Sequence, residues 1–376
     1  MPTQRYTDRT VLDAARERIA FLFDNYETIN VSVSGGKDST VLAHLALSEA
    51  HRRGRRIGVF YLDEEVVYQS SVDQVEKLLA LFPDAVKRMW LQVPFLLTNS
   101  TSVSEGQLRC WEPGEHKIWM RPKGELNMKG KPWRPEDERI GCKAKGFGFY
   151  DAIESFGRCF TGAAFLVGLR AAGESPNRWR AVAKNPVDVA SKRVYWGTAK
   201  DNGNVSFYPI FDWNFHDVWR YIHDEGLPYS KIYDLQFRKG YAINQMRVSS
   251  LIHEQAFKSI VDLPEFEPKT YDRLIKRIKG ISLAQETGKA AKLFAVRKLP
   301  KNFKSWMAYR DFLLDTHLDR ERVGIFRERF ARQLNNEFVA RQQCRQLVLN
   351  DYENNLPVEN KPDPRDELIR YYDEVL

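Results

Sequence analysis

The stretch NVSVSGGKDSTVLAHLAL, residues 30–47, joins a short run of alternating apolar residues to a run with helical spacing. The turn between the two runs consists of Ser34, Gly35, Gly36, Lys37, Asp38 and Ser39. A strand that opens through such a turn into a helix presents bare backbone N–H groups and the positive end of the helix dipole to one point. The glycines allow close approach, the hydroxyls add donors, and the lysine adds positive charge. The stretch therefore predicts an anion site, the alternative being a tight Gly-rich connection without a ligand.

Two common phosphate-binding motifs are absent from this turn. The P-loop pattern G-x-x-x-x-G-K-[ST] fails because no glycine precedes at the required spacing, and Asp38 stands where the magnesium-binding hydroxyl would be. The dinucleotide pattern G-x-G-x-x-G is missing as well. Asp38 instead suggests a carboxylate that holds Mg²⁺ near a polyphosphate or orients the turn.

The chain around the turn alternates between short strands and helices. RIGVFYLD at 56–63 and VKRMWLQV at 86–93 predict strands, and SVDQVEKLLALF at 71–82 predicts a helix between them. Alternation of this length favours an α/β fold: a doubly wound, mainly parallel sheet with helices on both faces.

Two regions depart from that alternation. From about residue 95 to 148 the periodicity disappears, which favours a lid or substrate-binding insertion over an ordinary surface excursion. Beyond about residue 240 the segments look helical throughout. We therefore predict an α/β domain over 1–240 that carries the insertion, and a mainly helical C-terminal region over 241–376.

Charge and composition bound the function only loosely. The 376 residues carry a net charge of +8, and residues 269–304 contain eleven Lys/Arg against two Asp/Glu. That basic segment could contact nucleic acid, or form a solvated helix face or dock on the acidic residues 350–376. Residues 1–20 lack an apolar signal core and no run approaches the roughly 20 apolar residues that span a bilayer. We expect a cytoplasmic protein that does not contact a membrane.

The cysteines argue against a cluster. The four of them, Cys110, Cys142, Cys159 and Cys344, contain no C-x-x-C pair. Neither a zinc ribbon nor an iron–sulfur cluster is expected from that spacing, and reduced thiols are the simplest interpretation.

The turn SGGKDS resembles the PP-loop of the adenine nucleotide α-hydrolase-like superfamily, which includes ATP pyrophosphatases and phosphoadenosine phosphosulfate (PAPS) reductases. VGLRAAGESPNRWRAV at 167–182 resembles the G-x-R…E-S-x-x-R signature of the PAPS reductase branch, with one additional residue in the gap. The matching residues are Gly168, Arg170, Glu174, Ser175 and Arg178. The two arginines offer forks for phosphate or sulfate oxygens, and Glu174 can fix one of them or hold a ribose hydroxyl. The resemblance implies a Rossmann-like fold and an adenine nucleotide bound at both motifs.

Two further segments refine the resemblance. YPIFDWNFHDVWRYIHDEGLPYSKIYD at 208–234 is similar to a run that follows the arginine motif in the same branch, and we interpret it as diagnostic of the fold. At YLDEEVVYQSSVDQV, residues 61–75, Asp63 is retained but Glu64 and Glu65 replace small residues. Together with GYAINQMRVSSLIHEQAF at 240–257 and LPKNFKSWMAYRDFLL at 299–314, this departure resembles the immunoglobulin-binding-regulator (IbrA) type. Asp63 and Glu65 are candidates for ribose or metal contacts, the alternative being a solvated acidic loop.

The missing cysteine motif narrows the chemistry that the resemblance implies. A PAPS reductase needs a nucleophilic cysteine, whereas Cys344 lies in an apparent helix, ARQQCRQLVL at 340–349, and is interpreted as structural. What remains is α–β cleavage of ATP for adenylylation or sulfur transfer, with Lys37 and Asp38 as catalytic residues and Mg²⁺ as a cofactor. Cys142, beside Lys143, is a weaker candidate for carrying sulfur. The alternative is a nucleotide sensor without turnover, with a ParB-like protein partner as in relatives of this type.

Overall fold

The computed structural model describes residues 8–102, 105–123, 147–172, 178, 182, 186–253, 257–279, 281, 299–354 and 358–361. The helices are α1 (Val11–Asn25), α2 (Lys37–Arg52), α3 (Gln69–Leu79), α4 (Phe149–Gly157), α5 (Phe215–Asp224), α6 (Ile232–Arg238), α7 (Phe257–Phe266), α8 (Pro268–Arg277), α9 (Trp306–Asp315), α10 (Val323–Ala331) and α11 (Glu337–Val348). The strands are β1 (Ile29–Ser32), β2 (Ile57–Leu62), β3 (Val86–Leu91), β4 (Phe95–Thr98), β5 (Gln107–Cys110), β6 (Ala164–Leu166), β7 (Val187–Val189), β8 (Lys192–Val194), β9 (Gly197–Ala199) and β10 (Val205–Phe207).

Six of the strands form one sheet in the order β3-β2-β1-β6-β10-β9. All neighbours pair in parallel except β9, which lies antiparallel at the edge next to β10. In the middle of the sheet Val31 pairs with both Val59 and Leu166. The chain moves outward from β1 to β3 and then returns to β6 on the other side of β1, so the strand order reverses between β1 and β6.

Both faces of this sheet are covered by helices. Val59 and Tyr61 of β2 belong to one buried cluster with residues of α1, α2, α3 and α5. Phe60 points to the opposite face, where its ring stacks on Phe156 of α4 with the centroids 4.0 Å apart. The alternation explains why all six residues of β2 are buried. The doubly wound, mainly parallel α/β fold predicted from the sequence is confirmed.

The 208–234 segment holds α1 against the sheet through polar contacts. Arg18 of α1 donates two hydrogen bonds, of 2.7 and 2.8 Å, to the carboxylate of Asp212. The indole Nε1 of Trp213 donates to Val11 O at 3.0 Å, and Asn214 and Asp217 form a capping box that starts α5. These residues have structural roles in the α/β sheet assembly.

The chain divides into two compact units, residues 1–95 with 110–249, and residues 96–109 with 250–376. Within the second unit, Ser100 N donates to Ile252 O at 2.9 Å, and Arg277 Nη2 donates to Arg109 O at 2.7 Å. A buried cluster of residues from α9, α10 and α11 gives this unit a core of its own. No described helix has both the length and the apolar composition needed to cross a membrane.

Candidate functional site

The SGGKDS turn lies at the carboxyl end of β1, beside β6, where the strand order reverses. Open α/β sheets bind ligands at such a switch point, outside the carboxyl ends of the strands. Gly35 has a positive φ of 76°, and Gly36 is the N-cap of α2 without a side chain to cap the helix. The first N–H groups of α2 are therefore directed at the turn, and the helix dipole favours an anion there.

Two glycines allow neighbouring segments to approach this turn. A Cβ on Gly35 would lie 2.7 Å from the backbone oxygen of Ser71 in α3. A Cβ on Gly168, which follows β6, would lie 3.0 Å from the Cα of Ser39. The turn is thus enclosed between the start of α3 and the loop after β6, and a larger residue at either glycine would force these segments apart.

The two serines of the turn bond to the turn itself. Ser39 Oγ accepts from Ser34 N at 3.1 Å and donates to Gly36 O at 3.0 Å. The hydroxyls of Ser34 and Ser39 lie 3.1 Å apart. These contacts fix the backbone of the turn.

Three charged side chains meet at the turn. Arg170 Nε donates to Asp38 Oδ1 at 2.5 Å, and Lys37 Nζ lies 3.3 Å from Asp38 Oδ2. The side chains of Arg170 and Lys37 are 7% and 11% exposed, whereas that of Asp38 is 27% exposed. Lys37 and Arg170 thus bring two basic groups, with Asp38 between them, beside the N-terminus of α2, an arrangement that suits an anionic ligand.

Two aromatic rings, which the sequence did not indicate as part of the site, lie beside the Lys37 ammonium group. Lys37 Nζ is 5.5 Å from the ring centroid of Tyr233 and 5.7 Å from that of Phe215. The Tyr233 hydroxyl accepts from Lys37 N at 3.3 Å. Both aromatic residues belong to the 208–234 segment, which the sequence marked only as diagnostic of the fold.

The second predicted motif is described in part. Gly168 and Arg170 contact the turn as given above, and Arg178 is exposed and has helical conformation. Glu174 and Ser175 lie outside the described residues, as do Cys142 and residues 124–146 of the predicted insertion. The structure thus brings Arg170, not Arg178, to Asp38.

Asp63 and Glu65 lie at the end of β2, and both are 0% exposed. Asp63 accepts hydrogen bonds of 3.0 Å from Trp90 Nε1, Gln92 Nε2 and Glu65 N, and it also pairs with Arg121. The alternative of a solvated acidic loop at Asp63 and Glu65 does not fit, because neither side chain reaches solvent.

Glu65 has a positive φ of 61° and holds the segment that follows β5. Its carboxylate oxygens accept from Trp111 N at 2.7 Å and from Met120 N at 3.3 Å. Trp111 Nε1 donates to Asp63 O at 2.6 Å. The two carboxylates thus fix residues 110–121 to the end of β2, and this arrangement favours a structural role for both over metal binding.

Two of the three described cysteines, Cys110 and Cys344, offer little reactivity. Cys344 is buried in α11, and burial raises the pKa of its thiol to about 12. Cys110 is also buried, and its thiol donates to Glu64 O at 3.1 Å. In the described part of the chain, no group of three or more His, Cys, Asp or Glu side chains is arranged to hold a metal ion.

Comparisons with known proteins place this site in a class. Residues 161–260 match the family model of the phosphoadenosine phosphosulfate reductase domain, and residues 240–340 match a domain of unknown function, DUF3440. An uncharacterised Escherichia coli protein, YbdN, is 26% identical over 314 residues, which cover 81% of this chain and 75% of that protein. Adenosine 5′-phosphosulfate reductase of Neisseria meningitidis is 31% identical over 123 residues, 28% of this chain and 45% of the reductase.

Among solved structures, PAPS reductase from Candida auris is similar at a TM-score of 0.34 and 13% identity, over 62% of this chain and 94% of the reductase. The SGGKDS turn lies at the carboxyl end of a strand in a mainly parallel α/β sheet, as expected for a PP-loop. The match of residues 161–260 to the PAPS reductase domain supports the PAPS reductase-like superfamily predicted from the turn and the arginine motif.

Proposed function

We propose that the protein binds ATP or a closely related adenine nucleotide through its phosphates at the SGGKDS turn. The observation that carries the proposal is the convergence of Lys37 and Arg170 on Asp38 beside the start of α2, where the N-cap residue Gly36 has no side chain of its own. The adenosine 5′-phosphosulfate reductase named above acts on an adenine nucleotide according to its name, which supports an adenine nucleotide over other phosphate esters.

We further propose that the bound ATP is cleaved between its α- and β-phosphates. An acceptor oxygen would attack the α-phosphorus, the bond to the bridging oxygen would break, and pyrophosphate would leave with the bonding electrons. Catalysis then consists of positioning and of offsetting the charge that builds on the leaving pyrophosphate. Lys37 and Arg170 are placed to do this because both are nearly buried, where charges are screened weakly by water.

Magnesium fits one of the two residues considered for it. Asp38 keeps part of its carboxylate exposed and could hold Mg²⁺ together with phosphate oxygens, whereas both Glu65 oxygens accept backbone N–H groups. Bound Mg²⁺ would neutralise charge on the β- and γ-phosphates. We therefore propose Asp38, and not Glu65, as the metal contact.

We propose separately that the acceptor of the adenylyl group or of sulfur is a nucleic acid. Lys269, Arg273 and Lys276 are exposed and lie on one face of α8, a spacing that suits contacts with nucleic acid phosphates. Within the basic segment, residues 280 and 282–298 lie outside the described residues. PAPS reduction is not proposed, because the sequence lacks the nucleophilic cysteine motif of a reductase and Cys344 is buried in α11.

A second candidate function is a nucleotide sensor that acts with a ParB-like partner and does not turn over its ligand. It is favoured by the lack of a reactive thiol at Cys344 and by the burial of Cys110. In this function the same turn binds the nucleotide, and the bound state is passed to the partner.

Incubation with ATP labelled at the α-phosphate and with Mg²⁺ separates the two functions. The enzyme releases labelled AMP or an adenylylated acceptor together with pyrophosphate, and Lys37→Ala lowers the rate by about 100-fold. Lys77→Ala, which removes an exposed lysine of α3, is the matched control and should leave the rate unchanged. Tight binding without products supports the sensor, and formation of ADP and phosphate would contradict α–β cleavage.

A further inference from the structure

The hydroxyl of Tyr233 lies at the start of α2, beside the SGGKDS turn. It accepts from Lys37 N at 3.3 Å and lies 3.6 Å from the point that a Cβ on Gly36 would occupy. Tyr233 belongs to α6 and is only 3% exposed. A side chain 196 residues away along the chain thus supplies the cap that α2 lacks at Gly36.

The hydroxyl proton of Tyr233 has no acceptor among the described residues. A phenol that accepts an N–H keeps its own proton for a further hydrogen bond. Burial raises the pKa of Tyr233 well above its usual value, so the proton stays in place at neutral pH. The group therefore offers one unused donor beside Lys37.

The ring of Tyr233 also restricts Lys37. The ammonium group lies near the ring faces of Tyr233 and Phe215, while Asp38 holds it from another side. Cation–π contacts of this kind orient a long, flexible side chain. The same tyrosine thus contacts both the backbone and the side chain of Lys37.

We propose that Tyr233 is a phosphate-binding residue: its hydroxyl donates to a phosphate oxygen of the nucleotide while its ring positions Lys37. The proposal rests on the proposed function, because it takes the ligand of the turn to be a nucleotide polyphosphate. It adds a donor from α6 to a site otherwise built from the β1–α2 turn and the loop after β6.

Calorimetric titration with ATP and with pyrophosphate tests the proposal in the wild-type protein, Tyr233→Phe and Tyr229→Phe. Tyr233→Phe should weaken both ligands by about tenfold, the loss of one hydrogen bond to a charged group. Tyr229→Phe is the matched control, since its hydroxyl contacts Asp234 and its side chain is exposed; it should change neither affinity. Equal losses for ATP and pyrophosphate place the contact on the phosphates.

The outcomes separate failure of this proposal from failure of the proposed function. If the wild type binds ATP and Tyr233→Phe binds it equally well, Tyr233 is only a structural cap and the proposal is overturned. If the wild type binds neither ligand, the proposed function itself fails. Should Tyr233→Phe not fold, the wild type alone gives the answer: pyrophosphate must perturb the tyrosine ultraviolet difference spectrum, and an unchanged spectrum overturns the proposal.

Discussion

Gly35 and Gly54 have similar backbone conformations but different surroundings. Their φ angles are 76° and 63°, both in the left-handed region that favours glycine. A Cβ on Gly35 would meet Ser71 O at 2.7 Å, whereas a Cβ on Gly54 would meet nothing within 4 Å. Substitutions at these two glycines therefore separate the free-energy cost of the left-handed conformation from the cost of a steric contact.

Gly35→Ala should destabilise the protein more than Gly54→Ala. The left-handed conformation costs about 1 kcal/mol in each variant, and the contact with Ser71 adds about 2 kcal/mol in Gly35→Ala alone. Chemical denaturation measures both free energies of unfolding, and titration should show that only Gly35→Ala weakens ATP binding. Equal stabilities for the two variants would mean that α3 moves away from the turn at little cost.

The end of β2 shows how two carboxylates can organise a segment distant in sequence. Asp63 and Glu65 are buried and accept hydrogen bonds from Trp111, Met120 and Arg121, all of which follow β5. In Asp63→Asn, an amide N–H₂ would replace one carboxylate oxygen and face the N–H donors that now bond to Asp63. Arg121 would also be left buried without its charge partner.

Asp63→Asn should therefore lower the free energy of unfolding by about 3 kcal/mol or more, the usual cost of breaking a buried ion pair. Asp24→Asn is the matched control: Asp24 pairs with Arg53, but its side chain is 61% exposed, and exposed pairs contribute about 0–1 kcal/mol. Urea denaturation measures both. A stable Asp63→Asn protein with lost ATP affinity would instead indicate that Asp63 binds the nucleotide.

The parts of the site that could be predicted from the sequence are local ones. A strand, a glycine turn and a helix follow one another between residues 30 and 47, so an anion site can be predicted there from spacing and residue type alone. The partners of Asp63 and Lys37 could not be predicted in this way. Arg121 and Tyr233 stand 58 and 196 residues further along the chain, and only the sheet topology brings them there.

The α/β fold class could be predicted from the sequence, because strand-like (period-two) and helix-like (period-3.6) patterns of apolar residues alternate clearly through the first 95 residues. Helices and strands could not be predicted for residues 95–148, since the periodic pattern of apolar residues is lost there. The structure assigns residues 96–109 to the unit formed by 250–376, and residues from 110 onward to the unit that contains the turn. Hydrogen bonds of Arg109 and Ser100 with residues beyond 250 make that assignment, and no local pattern encodes them.

Because each unit has its own buried cluster, we expect the two units to unfold separately. Alkylation of a buried thiol in each unit measures its unfolding: Cys110 reports on the unit formed by 1–95 and 110–249, and Cys344 on the unit formed by 96–109 and 250–376. In the native protein at pH 8 both should resist alkylation, and for Cys344 the high pKa of the buried thiol adds to the protection. The half-buried Cys159 should label first and serves as the internal control.

Labelling across a urea series, followed by mass spectrometry of the two peptides, should give different midpoints for Cys110 and Cys344. Loss of protection at Cys344 alone would show that the helical unit opens while the parallel sheet remains folded. ATP should then shift the Cys110 midpoint upward, because a ligand of the turn stabilises the unit that holds it. A single midpoint shared by both thiols, moved equally by ATP, would mean that the units unfold as one cooperative structure.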